Sequence, residues 1–535
     1  ARFDLSEDAP EEVDFLLVNR MADLIVAASR SGIVKLFART QRDIELRQTF
    51  RPFEDEADAR LAKVEFLFGD ASLVLASESG ANRIFSLHER EGDTVRRFHH
   101  TKTFPGLASA PTFFAKSLRN KAFLIGNDSK ASLRFSTTES VRWEGPIPSA
   151  PTLALLGPKY DLALFLTPDN RLERLSIDDK HPEAGWRSFF GKVWYEGSNR
   201  PDFVWQSTGG SDDFEPKLSL IPLIFGTLKG TLYAMIFALP IALLSALYVS
   251  QFAHPDVRRV VKPTMEIMAS LPSVVLGFLA ALWLAPAIET RVPSILLIVL
   301  LVPASALAMG WMWQRLPARV RIWSQWGHEW WLFLPCLALV VAAGWMLGPL
   351  VEKLLFTVTD PSGLKIADFR RWWPEVTGTP FQQRNSLVVG FMMGFAVIPI
   401  IFTIAEDSLS NVPGALRSGS LALGASRWQT AINVVLPTAS PGIFSAIMIG
   451  LGRAVGETMI VVMATGNTPI MELNIFSGMR TLSANIAVEL PEAAEGGTLY
   501  RTLFLGAMVL FLLTFSINTI AEILRQWLRE RYKLV

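Results

Sequence analysis

Two groups of residues in this chain have the types and the spacing to do chemistry. The first is Arg453 and Glu457, followed by Thr458, set in an apolar run with Gly450, Gly452, Ala454 and Gly456 between and around them. On a helix, residues four apart share a face and can pair. Small neighbours let other helices approach closely. A guanidinium offers a planar fork of donors that suits a tetrahedral oxyanion. A charge at the centre of a bilayer costs roughly 2.5–3.5 kcal/mol on insertion scales, so an intramembrane Arg/Glu pair reads as a functional site. Glu457 would hold the arginine while the site is empty or, protonated, donate a hydrogen bond to the anion. A helix-locking ion pair that touches no substrate is the alternative. The second group is a loop, 406–437, containing Arg417, Ala422, Gly424, Ala425, Arg427 and Trp428 and closing on Leu436-Pro437. It reads as a short helix, a tight glycine turn and a second short helix stopped by Pro437. Such an element could lie along a membrane face and fit a groove in a soluble partner; an ordinary amphipathic connector is the alternative.

Those residues need a membrane scaffold, and the chain supplies one. Asp, Glu, Lys and Arg are dense from residue 1 to about 215 and sparse beyond it, where apolar runs approach the ~20 residues a helix needs to span the hydrocarbon. The expected organisation is a soluble module, 1–205, and a polytopic all-α membrane module, 219–530. Seven candidate spans lie near 223–252, 263–286, 293–313, 329–351, 385–405, 440–465 and 502–524. The first is long, and its opening turns could lie at the interface with Lys229 snorkelling. Glu266 is a further polar candidate near a span end.

Placing the soluble module outside makes the inner segments those with Arg258, Arg259 and Lys262; Arg315, Arg319 and Arg321; Arg417 and Arg427; and Arg525, Arg529, Arg531 and Lys533. That bias favours the module outside and the C-terminus inside. Only the basic 352–384 loop opposes it. With an odd number of spans, this orientation leads to the expectation of a further helix upstream of Ala1. Trp330-Trp331 and Trp372-Trp373 flank apolar runs, as interfacial anchors do. Asn467, Thr468, Thr481, Ser483 and Asn485 border the outer loop after the arginine run and could line a vestibule; an ordinary polar loop is the alternative.

The soluble module repeats a unit of apolar run, polar turn and apolar run at 24–37, 73–87, 123–135 and 162–175. Turns such as Arg30-Ser31-Gly32, Ser79-Gly80-Ala81-Asn82, Gly126-Asn127-Asp128 and Pro168-Asp169-Asn170 suit hairpins. A period of about 40–50 residues is that of propeller blades. No Trp-Asp dipeptide marks them. An all-β module forming part of a propeller is expected, with an irregular β-sandwich as the alternative.

Several functions are excluded or left without support. With 51 basic and 50 acidic residues, no global field draws the chain to nucleic acid. Cys336 is alone, so there is no intrachain disulfide and no multi-cysteine metal site. The histidines form no ligand-spaced set. The nearest approach to a phosphate-cradling P-loop, Gly185 to Gly191-Lys192-Val193, has one residue too many and Val where Ser or Thr is needed. Neither a cofactor nor a metal is expected, and any ATP would be hydrolysed by another polypeptide.

The loop also carries a resemblance. Gly424, nine residues, then Val434-Val435-Leu436-Pro437 resembles the EAA motif of permease subunits of bacterial ABC importers, which ends in Ile-x-Leu-Pro. Ser418 and Gly419 stand where Glu and Ala are usual. The stretch 219–530 resembles the permease of phosphate-specific ABC importers, most of all its PstC-type subunit. The segments that carry this are Phe225-Gly226-Thr227-Leu228, Glu266 to Ser273, Gly450 to Met459 and Gly466-Asn467-Thr468. The resemblance leaves out the β-rich module and the stretch 287–383, which looks like a helix pair inserted into the usual core. It implies a multi-pass protein of the bacterial inner membrane that forms half of a phosphate pathway, with Arg453 and Glu457 in phosphate passage. It further implies a second, homologous permease, an ATPase dimer gripping the loop, and an extracytoplasmic phosphate-binding protein, all in a membrane lipid setting. An importer of sulfate, molybdate or phosphonate, or a membrane sensor with a ligand-binding propeller, are the competing functions.

Overall fold

The computed structural model describes residues 5, 8–40, 43–56, 59–90, 92–93, 95–147, 149–211, 213–313, 315, 330–359 and 363–532. Two compact units emerge: Ala1–Ile221 with Ala494–Thr502, and Pro222–Ala493 with Leu503–Val535.

The first unit is built of consecutive antiparallel meanders. The first sheet is β1 (Phe15–Val18), β2 (Leu24–Ala28), β3 (Val34–Arg39) and β4 (Ile44–Phe50). The second is β5 (Leu61–Phe66), β6 (Ser72–Ser77), β7 (Asn82–His88) and β8 (Arg97–Phe104). The third is β9 (Phe113–Lys116), β10 (Ala122–Gly126), β11 (Lys130–Phe135) and β12 (Ser140–Pro146), and a three-stranded sheet follows, β13 (Leu153–Leu156), β14 (Leu162–Leu166) and β15 (Leu172–Ser176). Each apolar-turn-apolar repeat is the second and third strand of a sheet. Central strands such as β6 are buried on both faces and so read as continuous apolar runs, whereas outer strands such as β15 alternate. The turns use left-handed residues: Gly32 at φ +93°, Gly80 at +92° and Asn170 at +54°. In the third sheet the Asn127 Oδ1 accepts from the backbone of Ser129 and Lys130 instead. A register shift recurs between the third and fourth strands of all three four-stranded sheets, at Leu36/Phe37, Ile84/Phe85 and Leu133/Arg134. The first strands touch in series, β1 to β5, β5 to β9 and β9 to β13.

The second unit is helical. The helices used below are α1 (Ile221–Gln251), α2 (Pro255–Ala269), α3 (Ser273–Glu289), α4 (Val292–Trp313), α5 (Trp330–Leu355), α6 (Ser386–Ser410), α7 (Gly414–Ala422), α8 (Arg427–Gly456), α9 (Met459–Ala464), α10 (Leu482–Glu489) and α11 (Thr498–Tyr532), which begins in the first unit and continues into the second; a short helix, Phe369–Thr377, and a strand pair, Thr357–Thr359 with Lys365–Ala367, lie between α5 and α6. Among the described residues, six helices are long and apolar enough to cross a membrane, or seven if the bent pair α2–α3 counts as one span. That pair departs from the single span expected at 263–286. Its helices meet at 87°, because Pro272 disfavours helical geometry at Leu271 and breaks the run.

α6 is the most enclosed helix, and the face of α8 bearing Ala439, Ala446, Gly450 and Ala454 packs into the same core. α4 and α5 pack on each other and leave most of their surface uncovered. Trp372 and Trp373 are not free interfacial anchors. Both are half-buried in an aromatic cluster with Phe369, Trp372 also against Phe356 and Trp373 also against Phe476, its indole donating to Thr379. Clustering buries the ring faces that an anchor would leave to lipid. The side chains of Trp330 and Trp331, like Arg319, Arg321, Arg529, Arg531 and Lys533, lie outside the described residues.

Candidate functional site

The expected span at 440–465 is interrupted at the residues of interest. α8 ends at Gly456, Glu457 turns extended (φ −67°, ψ 125°), and α9 starts after Thr458. Arg453 and Glu457 therefore do not share a helix face and form no ion pair, contrary to the four-residue spacing argument. Gly456, a poor helix former, sits where the ladder stops. Arg453 lies in the last turn of α8 and is exposed, while Ala454 and Val455 beside it are buried. Glu457 and Thr458 are half-buried in the non-helical link. Ser483 Oγ donates to the Glu457 carbonyl over 3.0 Å, and the Thr458 hydroxyl donates to the Gly456 carbonyl over 3.2 Å. Irregular backbone at membrane depth is tolerated only where it is buried in protein or lines a water-filled cavity.

The loop group divides. α7 has no buried residue, and Ala422, Gly424, Arg427 and Trp428 are exposed, Ala425 half so. Leu423 is 91% and Trp428 58% exposed, an apolar display at a helix-turn-helix tip. Gly424 takes φ +90°, and a Cβ there would meet nothing within 4 Å, so glycine is required by the backbone and not by space. Ser426 and Gln429 then form a reciprocal capping box, 3.2 Å and 2.8 Å, that starts α8. Pro437 does not stop the helix. A π-helical turn at Ala431–Val435 precedes it, and the wider turn makes room for the ring and for its missing N–H. Leu436 and Pro437 are thus half-buried within α8, with Leu436 packed on the core.

Other polar residues are relocated. Lys229 does not snorkel; it is 2% exposed. Its Nζ donates to Ser477 Oγ at 2.8 Å, with the Ser477 and Gly478 carbonyls at 3.5 Å, acceptors that stand in for water. The same returning loop is held by Leu482 N–H donating to Thr227 Oγ1 at 3.0 Å. Thr481 caps α10, and Asn467 lies at φ +54° with its amide donating to Val462. Of the proposed vestibule residues, Ser483 is the one that bonds to the Glu457 link. Sequence reasoning missed Glu406, which is fully buried and bound by Arg258, Lys262 and Ser410. An acidic pair ending an apolar run, Glu406-Asp407, was the available signal. No group of three or more metal-ligating side chains occurs among the described residues.

Residues 306–533 match the family described as the binding-protein-dependent transport system inner membrane component. The match spans less than half of the chain, so it is a likeness of the C-terminal helical part to this family. Relatives include the probable ABC transporter permease protein YqgH of Bacillus subtilis, 24% identical over 59% of this chain and 74% of that protein. The phosphate transport system permease protein PstC 1 of Mycobacterium tuberculosis is 27% identical over 56% of this chain and 70% of its own length. PstA 1 of the same organism is 31% identical over 28% of this chain and 49% of its own. A β-propeller domain, Cps50 (Swd1) of Myceliophteria thermophila, overlays 30% of this chain and 52% of its own at TM-score 0.26 and 10% identity, too low to establish a common fold. Six apolar helices of membrane-spanning length among the described residues accompany this match, as in a multi-pass membrane protein.

Proposed function

We propose that this chain is one permease half of an ATP-driven importer of inorganic phosphate. The carrying observation is Arg453: a guanidinium in the last turn of an interrupted membrane helix, on a face its own chain leaves uncovered. Such a charge is costly against acyl chains, so that face calls for water, an anion or a second permease. Similarity to phosphate permeases supports phosphate as the anion. A bidentate Arg453–phosphate contact gives affinity and orientation together. Glu457 and Thr458 act from the non-helical link, accepting from the anion or donating to it.

The exposed tip from Ala422 to Trp428 docks an ATPase subunit, and closure of an ATPase pair tilts α8 through it, exchanging outward for inward access. Residues 219–530 are the permease domain, with α4 and α5 in an added segment, 287–383. The β-rich domain, 1–205, lies outside with a phosphate-binding protein delivering the anion, and the C-terminus lies inside.

Proteoliposomes holding this chain with its partner permease and ATPases test the reading through uptake of labelled phosphate. Arg453→Gln should abolish uptake while leaving assembly intact. Unchanged uptake rejects the substrate role. Equal competition by sulfate, molybdate or phosphonate rejects phosphate as the selected anion.

A further inference from the structure

A cluster of charges sits where α2, α6 and α7 meet. Glu406, in the last turn but one of α6, is fully buried; it accepts from Arg258 and from Ser410 Oγ at 2.7 Å, and it is ion-paired with Lys262 Nζ at 2.5 Å. Lys262 also reaches Asp407 at 3.2 Å. From the other side, Arg417 on α7 donates to the Leu409 and Ser410 carbonyls at 2.8 and 2.9 Å, satisfying acceptors that the C-terminus of α6 leaves open. One helix end is thus bolted to the exposed tip by Arg417 and to α2 by Glu406.

The connection continues. α2 leads through the 87° bend into α3, and α3 packs against α9. The contact is close: a Cβ on Gly277 would lie 3.0 Å from the Met459 carbonyl, immediately after the Glu457-Thr458 link. The direct route along α8 instead contains the π turn at Ala431–Val435, an interruption of the regular ladder; α3 has one too, at Ala280–Leu284, but beyond Gly277. Two routes therefore run from the tip to the link, and the lateral one is held by a buried carboxylate with half-exposed cations around it.

We infer that Glu406 is a positioning residue: a buried carboxylate clasp that makes α2–α3 move with the α6–α7 corner, so that displacement of the tip is delivered to the link beside Arg453. This rests on the permease reading given above. A buried carboxylate with two cations and a hydroxyl is expensive to separate, which lets the corner move as a body.

The test uses the full transporter in proteoliposomes, with two readouts: phosphate uptake per ATP hydrolysed, and the ATP-dependent change in hydrogen exchange at 456–464. Glu406→Gln should keep ATP hydrolysis within twofold of the native rate. Uptake per ATP should fall at least tenfold, and the exchange change at 456–464 should vanish while that at 414–422 persists. Glu406→Asp should restore most of both, since the long Arg258 and Lys262 stems can follow a shorter carboxylate. If Glu406→Gln does not insert, Lys262→Met carries the test, because it leaves Arg258 on the carboxylate; a threefold or greater loss is expected. Native exchange behaviour at 456–464 in both variants overturns the clasp, as does Glu406→Asp being as defective as Glu406→Gln. Absence of phosphate uptake by the native transporter counts against the transport reading alone, since the exchange readout does not depend on the anion.

Discussion

Gly424→Ala isolates the geometry of the proposed docking tip. The glycine sits at φ +90°, a region costing an L-residue roughly 1–2 kcal/mol. A methyl group there would meet no atom within 4 Å, so sterics add nothing and the whole cost is backbone strain. The position is exposed at a tip that can relax its turn locally when free, so thermal unfolding of the helical unit should change little. The strain appears when the tip must hold its turn against a partner. A cost of about 1–2 kcal/mol corresponds to a roughly 5–30-fold weaker complex with the ATPase subunits. Titrating purified ATPase onto the permease complex measures this directly. Gly424→Asn should recover part of the loss, because asparagine tolerates positive φ better than alanine. Native affinity for Gly424→Ala, or equal weakening by Ala and Asn, refutes the idea that the left-handed turn shapes the docking surface.

Two further outcomes follow from single side chains. Lys229→Met removes the donor to Ser477 and Gly478, a charge-assisted contact of the kind worth ~1.5–3 kcal/mol, so amide exchange over 474–482 should quicken tenfold or more; unchanged exchange there means the loop is held by other contacts. In the β-rich unit, burial, aided by Arg90 and His88, pushes His99 down to about 4, and burial lowers His88 and His100 as well. An unfolded histidine takes up its proton near 6.5, above the folded value, so between about 6.5 and 4 the unfolded state binds more protons and stability falls as pH falls. Protection factors of β8 amides in the full chain, corrected for the intrinsic pH dependence of exchange, should fall more from pH 7.5 to 5 in the native protein than in His99→Gln; identical falls would remove His99 from the account.

Local patterns were legible where the physics is local. Alternating and continuous apolar runs separated by Gly- and Asn-containing turns anticipated the central hairpin of each β-sheet, because strand period and turn chemistry need only neighbours in the chain. The apolar runs likewise marked the long helices, and the glycine at 424 marked its turn. Proline was read less well: Pro437 carries the pattern of a stop, yet a π turn that no periodicity announces absorbs it.

Charge partners were beyond the sequence, and distance along the chain is the reason. Lys229 finds its acceptors 248 residues away at Ser477, and Glu406 meets Arg258 from 148 residues away. Nothing in either local window separates a snorkelling lysine from a caged one. The four-residue spacing of Arg453 and Glu457 predicted a shared face, but only the tertiary structure decided that the helix ends between them. The sequence by itself determined which residues are costly to bury and where the backbone can turn. The folded chain decided which of those costs are met by a partner, because a buried charge is satisfied by whatever packing brings within about 3 Å, however far off it was encoded.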